Sequence, residues 1–254
     1  MKNQYLGMKI QDYICKMYGI IPSITAKKHF NIEGDPINLS KLRKVISSIF
    51  KKIDAKPLEC TTFTKSNTIG EGWNPHNFIL NNGLTLSIKT NSNMKNQMVA
   101  PVVVGQAGFD KLNYHFSHFL DKQLETQEDI KKVVLDKPDL ILPIMVDYLL
   151  ISDITIWIYP MNNTFDYQIV YRKQKPDFEW DKNLISFTRN NLDDWIESTT
   201  MKYSKLSIAE VQVHKNRTFK FRFRFKNFSL LLNNVEINNE TLGITMEKDR
   251  KSVV

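Results

Sequence analysis

A chain of 254 residues, 42% hydrophobic and 24% charged, is long enough to bury a real core and has neither a disordered nor a fibrous composition. Its formal charge of +8 and pI near 9.3 favour a polyanionic partner, because each Lys or Arg set on a phosphate releases condensed counterions. The longest apolar run, Leu140 to Leu150, is interrupted by Pro143 and Asp147, so no membrane span is expected, and the start MKNQYLGMKIQDY is too polar to predict a secretory signal.

In chain order, helical spacing of apolar residues predicts helices over Ile10 to Tyr18 and Leu39 to Ile53. In the second, Leu42, Val45, Ile46, Ile49 and Phe50 line one face, with Lys41, Arg43, Lys51 and Lys52 elsewhere. Strands are predicted at Asn77 to Leu80, Leu84 to Lys89 and Val99 to Val104, then helices at Phe109 to Leu120 and Leu140 to Leu150. Further strands follow at Ile154 to Tyr159, Tyr167 to Tyr171, Thr199 to Tyr203, Leu206 to His214 and Thr218 to Phe225. This mixture predicts an α/β (α+β) fold with a mixed central sheet flanked by helices. With no repeat and no linker-like tract, one compact domain over 1–254 is expected, its first 60 or so residues mostly helical and its sheet-containing core at 70–226. Cys15 and Cys60 are the only cysteines, and a domain this size does not need a disulfide, so reduced thiols in a cytoplasm are expected.

Two hairpins carry chemistry. In HNFILNNGLTLSIKTN, Asn82-Gly83 predicts a two-residue type I′ turn, with His76 opposite Lys89 and Phe78 opposite Ser87. Ser-Ile-Lys stands where a nuclease would carry Glu-x-Lys; without a carboxylate, and with Glu71 the nearest one, this hairpin suits phosphate or base contacts or is ordinary scaffold. In IESTTMKYSKLSIAEVQVHKNR, a turn at Ser204-Lys205 pairs Tyr203 with Leu206, Thr199 with Glu210 and Glu197 with Gln212. Strict alternation then sends Ala209, Val211 and Val213 to the core and Glu210, Gln212 and His214, with Glu197, to one polar face. Two carboxylates on adjacent strands can hold a Mg²⁺ ion for phosphodiester hydrolysis, and Gln212, His214 or Lys215 would orient water or support the phosphate.

The stretch AEVQVHKNR, with an acid about a dozen positions before it, resembles the acidic-x(n)-Glu-x-Gln variant of the PD-(D/E)XK site found in some type II restriction endonucleases. Glu210 and Gln212 match the last two functional positions and Glu197 the first, with Asp193 and Asp194 as alternatives. GEGWNPHNFILNNGLTLSIKTN and VAPVVVGQAGF also look like segments of such enzymes. Gln212 stands where the family usually has Lys, and Lys215 falls on the opposite face by parity. The resemblance implies a restriction-endonuclease-like core, Mg²⁺ dependence, double-stranded DNA as substrate, a homodimer on a two-fold site, and the prokaryotic cytoplasm as setting.

In TFKFRFRFK, Phe219, Phe221, Phe223 and Phe225 take one face, and Lys220, Arg222, Arg224 and Lys226 the other. Four stacked like charges repel, and either phosphates or a neighbouring acid such as Glu210 would relieve them. The expected site is therefore catalytic Glu197, Glu210, Gln212 and Lys215. The metal would sit on Glu197, Glu210 and Asp194. DNA contacts are expected at Asn74, His76, Lys89, Thr90, Asn91, Gln106, His214, Arg217, Lys220, Arg222 and Arg224. A non-catalytic DNA- or RNA-binding protein, or an interaction protein whose charge is merely solubilising, is the competing expectation. His115-x-x-His118 lacks companions for zinc, and Gly105-x-x-Gly108 lacks a phosphate loop's remaining residues.

Overall fold

The computed structural model describes residues 3–30, 39–65, 73–91, 100, 107–161, 164–172, 180–216, 218–226 and 244–248. The chain divides into two compact units, Met1–Lys95 with Ile151–Lys173 and Ile244–Val254, and Asn96–Leu150 with Gln174–Gly243.

The first unit holds helices α1 (Asn3–Tyr18), α2 (Ile24–Phe30) and α3 (Leu39–Lys52). Its strands are β1 (Pro57–Cys60), β2 (Phe78–Leu80), β3 (Thr85–Thr90), β4 (Ile154–Met161), β5 (Thr164–Arg172) and β10 (Ile244–Lys248), in the order β1-β2-β3-β4-β5-β10. All neighbours are antiparallel except β3 and β4, which are parallel. A parallel pair needs a long crossover, and the chain between β3 and β4 supplies one. The mixed sheet with helices is the architecture that the sequence predicts.

One sheet face carries Phe78, Leu80, Leu86, Ile88, Ile154, Ile156, Ile158 and Ile169, buried against Ile10 and Ile14 of α1 and the Leu42, Ile46 and Ile49 stripe of α3. The apolar face expected of α3 is thus the buried one. Gly7 marks where α1 comes close to β3: a Cβ there would lie 3.2 Å from Thr90 Oγ1. Thr85 and Asp153 set the parallel register, since Asp153 Oδ2 accepts from the Thr85 amide (2.8 Å) and hydroxyl (2.7 Å), and Thr85 Oγ1 accepts from the Asp153 amide (3.0 Å).

The β2–β3 turn is not type I′. Leu80 N donates to Leu84 O (2.8 Å), and of the loop residues only Gly83 has a positive φ, +82°. That is a three-residue loop with a left-handed Gly. The register moves by one, and Phe78 pairs with Leu86 rather than Ser87. The two fully buried apolar residues therefore meet in the core, and Ser87 and Lys89 go to the other face.

The second unit contains α4 (Phe109–Phe116), α5 (Gln127–Asp136), α6 (Pro138–Leu149) and an antiparallel sheet in the order β6 (Ile185–Phe187), β7 (Ser198–Tyr203), β8 (Leu206–Asn216), β9 (Thr218–Phe225). Helix α5 starts in a capping box, in which Thr126 Oγ1 accepts from Asp129 N and the Asp129 carboxylate accepts from Thr126 N. Pro138 opens α6 at its first turn, where the missing N–H costs nothing. Met201, Val211, Val213, Phe221, Phe223 and Phe225 form the buried sheet face, all without exposure. Lys131 of α5 is buried and donates to Trp195 O and to Ile196 O (3.2 Å). The strand expected at Val99 to Val104 lies outside the described residues, apart from Ala100. No helix among the described residues is long and apolar enough to cross a membrane.

Candidate functional site

The β7–β8 hairpin turns at Ser204, which has φ +54°, with Tyr203 opposite Leu206 as the sequence predicts. The pairing then departs from strict alternation. Lys202 faces Ser207 but Met201 faces Ala209, so Ile208 is an extra residue on β8, a β-bulge. Ile208 and Ala209 are both fully buried. Beyond the bulge Glu210 faces Thr200 and Gln212 faces Ser198, correcting the expected Thr199 and Glu197. The Glu197 backbone sits opposite Val213, whose amide donates to Glu197 O at 2.9 Å.

Glu197 itself lies in an exposed bend just before β7, with Val213 rather than Glu210 or Gln212 across from it. The two carboxylates do not meet across the ladder. Asp193 and Asp194 are exposed, and Asp194 closes a turn with Asn191, its amide donating to Asn191 Oδ1 at 2.8 Å. Among the described residues no group of three or more His, Cys, Asp or Glu is placed to hold a metal. The residues expected to bind Mg²⁺ therefore do not fit it as a set.

What β8 and β9 do assemble is a mixed polar face. Glu210 pairs across to Arg224 and Gln212 to Arg222. Gln212 Nε2 donates to Glu210 Oε1 at 2.7 Å, and Lys226 Nζ lies 4.0 Å from Glu210 Oε2. The alternation of TFKFRFRFK holds, with Phe221, Phe223 and Phe225 buried and Arg222, Arg224 and Lys226 half-buried opposite them. One acid thus lies among three cations. Arg222 Nε is shielded from water with no hydrogen-bond partner among the described residues. The backbones of His214, Lys215 and Lys220 lie in β8 and β9, but their side chains, like all of Arg217, lie outside the described residues.

In the first unit the second sheet face is polar and buried. The row Ser87–Thr155–Val170 neighbours the row Lys89–Trp157–Gln168; Ser87, Thr155, Trp157 and Gln168 are at most 2% exposed. Thr155 Oγ1 and Gln168 Oε1 have no partner among the described residues. At the edge, His76 Nδ1 is 2.9 Å from Ser152 Oγ, and the Ser152 and Ser87 hydroxyls are in hydrogen-bond contact. Burial works to raise the Asp153 carboxyl, but the Thr85 hydroxyl and amide, with His76 nearby, outweigh it and hold its pKa below the ordinary value.

Lys89 is half-buried, no described carboxylate pairs with it, and desolvation lowers its pKa to about 8. An ammonium with pKa about 8 when folded and about 10.4 when unfolded destabilises the fold fully below pH ~8, and the penalty is relieved as pH rises through that window. Lys89→Met is therefore expected to raise the denaturant midpoint near neutrality, with the gain shrinking toward pH ~10. A gain that stays constant with pH would assign it to packing instead.

His76 and Lys89 are not cross-strand partners, contrary to the expected register. Asn74 Oδ1 accepts from His76 N at 3.0 Å, and Asn91 is buried, its amide donating to Ile158 O at 3.3 Å. Thr90 faces Gly7 of α1. Thr90 is half-buried, and Gln106 and Glu71 lie outside the described residues. Sequence reasoning passed over Ser87, Ser152, Thr155 and Gln168 as site residues, because hydroxyls and an amide in strands carry no spacing signature. Alternation of Ser87 and Lys89 with Leu86 and Ile88 was the available signal.

No family model matches the chain, and no solved structure matches it. Among curated proteins, the type II restriction enzyme CviAII of Paramecium bursaria Chlorella virus 1 is 32% identical over 160 residues, covering 61% of this chain and 44% of the relative. The chain is thus similar to a restriction enzyme while matching less than half of that relative's length.

Proposed function

We propose that the chain is a DNA endonuclease of the type II restriction kind, hydrolysing phosphodiester bonds in double-stranded DNA as a homodimer. The observation that carries this reading is the 32% identity over 160 residues to a protein so named. The charge of +8 and the cationic side of β9 are compatible with it. Arg222, Arg224 and Lys226 hold phosphates in this reading, joined by Arg217, Lys220 and His214. Glu210, hydrogen-bonded by Gln212, is the acid working on that face. Magnesium dependence belongs to the proposal as a property of the reaction, in which a divalent ion stabilises the attacking and leaving oxygens. A seat made of Glu197, Glu210 and Asp194 together does not belong to it, since the three form no cluster among the described residues.

One observation favours a second reading. Glu210 is already engaged by Gln212 and lies beside Lys226, as it would in a non-catalytic DNA binder where it only relieves repulsion. Incubating the protein with plasmid, with Mg²⁺ or with a chelator, separates the two. Defined fragment ends in Mg²⁺ and intact plasmid with chelator are expected. Intact plasmid across all metal concentrations, together with salt-sensitive DNA binding, replaces the enzyme with the binder.

A further inference from the structure

Three of the four tryptophans, Trp157, Trp180 and Trp195, are at most 6% exposed, whereas Trp73 is 50% exposed. An exposed indole at a fixed position calls for a reason, and its surroundings supply one. Lys65 and Trp73 form an isolated antiparallel bridge, and Asn74 N donates to Thr64 O at 2.8 Å, so the backbone under the indole is held. Phe63 meets the Trp73 ring edge-on, centroids 6.1 Å apart at 87°, and itself stacks on His29 of α2 at 4.3 Å and 24°. Phe63 has φ +56°, a region that a bulky L-residue rarely occupies without surrounding contacts to hold it. Ser23 ties α2 to the same loop, donating to Thr62 O at 3.3 Å while accepting from Ala26 N at 3.1 Å. The result is a rigid aromatic column ending in an exposed ring.

Exposed cations adjoin the members of this column along the chain. Lys27 and Lys28 precede His29 on α2, and Lys65 is the bridge partner of Trp73. Rings with a π-face open to solvent, interleaved with ammonium groups, are what single-stranded nucleic acid binds by base stacking and backbone neutralisation. The charge argues against an apolar protein surface as occupant, because protein interfaces are depleted in Lys.

We infer that Trp73 is a stacking platform for an unstacked DNA base, with Lys27, Lys28 and Lys65 on the adjoining phosphates. This rests on the reading of the chain as a DNA-acting protein and adds a second contact surface, in the first unit, to the β9 face. A base that has left its stack, at a distorted step or in a single strand, presents its π-face to the indole, while an undistorted duplex does not. The site supplies affinity for exposed bases and no base-edge code.

Intrinsic fluorescence tests it directly, since the other three tryptophans are buried. Titrating a short single-stranded oligothymidylate into the full chain is expected to quench tryptophan emission, and the same length of duplex to quench it less. Trp73→Ala is expected to abolish the quench and weaken single-strand affinity about 10-fold or more. Trp73→Phe, which keeps a ring, is expected to retain affinity within about 3-fold while losing the quench, and it serves as the control for folding. Oligonucleotide binding with unchanged emission and equal affinity for Trp73→Ala overturns the inference, as does quenching that follows protein concentration without DNA. Plasmid cleavage without Trp73 quenching sinks this platform alone. Quenching without cleavage under any metal condition keeps the platform and sinks the endonuclease.

Discussion

Glu210→Gln is expected to slow plasmid cleavage by about 10²- to 10³-fold, the order seen when one preorganised transition-state contact is removed, while DNA binding is kept or tightened. The substitution is nearly isosteric, and the amide oxygen still accepts from Gln212 Nε2, now 2.7 Å away. What it removes is the single negative charge, among the described residues, on a face that also carries Arg222, Arg224 and Lys226. Removing a like charge from a phosphate-binding surface strengthens binding, and freeing Lys226 steepens the salt dependence of log K by up to about one unit. Stability changes by about 1 kcal/mol or less, because the Glu210 and Lys226 side chains keep 18% and 31% exposure and a solvated pair at 4.0 Å contributes little. Cleavage kinetics and binding isotherms at two salt concentrations decide the matter. Unchanged cleavage removes Glu210 from the chemistry, and lost binding makes it a scaffold residue whose ion pair organises the arginines.

Phe223→Ala is expected to destabilise the second unit by about 3–5 kcal/mol, the usual cost of deleting a buried ring and leaving a cavity. Phe223 has no exposed surface, lies opposite Val211, and packs edge-on against Phe225 with centroids 5.1 Å apart. It sits mid-strand, flanked on its face by Phe221 and Phe225, so the hole has no flexible loop to collapse into. Arg222→Ala, one residue away on the polar face, is expected to cost far less stability and to weaken DNA binding instead. Denaturant midpoints measured for the pair check both halves. Equal midpoints would mean that the two faces of β9 are not divided as the burial pattern indicates.

The division between faces of β9 illustrates what was legible. A strand of Phe alternating with Lys and Arg carries its own instruction, because period-2 geometry sends every second side chain to one side and only one side is dry. The stripe of α3 is legible for the same reason at period 3.6. Both are properties of a single element. The segments missed are the ten-residue helix α5, whose Thr126–Asp129 capping box was a local signal left unread, and pieces whose structure depends on partners: β1, β6 and β10, of four, three and five residues, and the short helix α2. Such pieces are too short for a periodic signal and exist because a neighbouring strand or helix receives their hydrogen bonds or apolar face.

The candidate site was half legible. Glu210, Gln212, Arg222 and Arg224 were placed on one face by alternation within β8 and β9, and they share it. Glu197 was set opposite Gln212 by counting across a turn, and one bulged residue, Ile208, shifts the pairing so that Val213 stands opposite it. The same single-residue slip at Gly83 decided which face received Lys89.

By itself, then, the sequence determined which side of each regular element is apolar, how basic the molecule is, and which residues alternate with them. Tertiary structure alone decided the register between strands, the parallel junction of β3 with β4, and the meeting of Phe63, His29 and Trp73. The physical reason is that alternation is local, whereas register is a joint property of two strands. A bulge that buries both Ile208 and Ala209 gives up one ladder position for additional apolar burial, and that exchange is settled only by what packs on the other side.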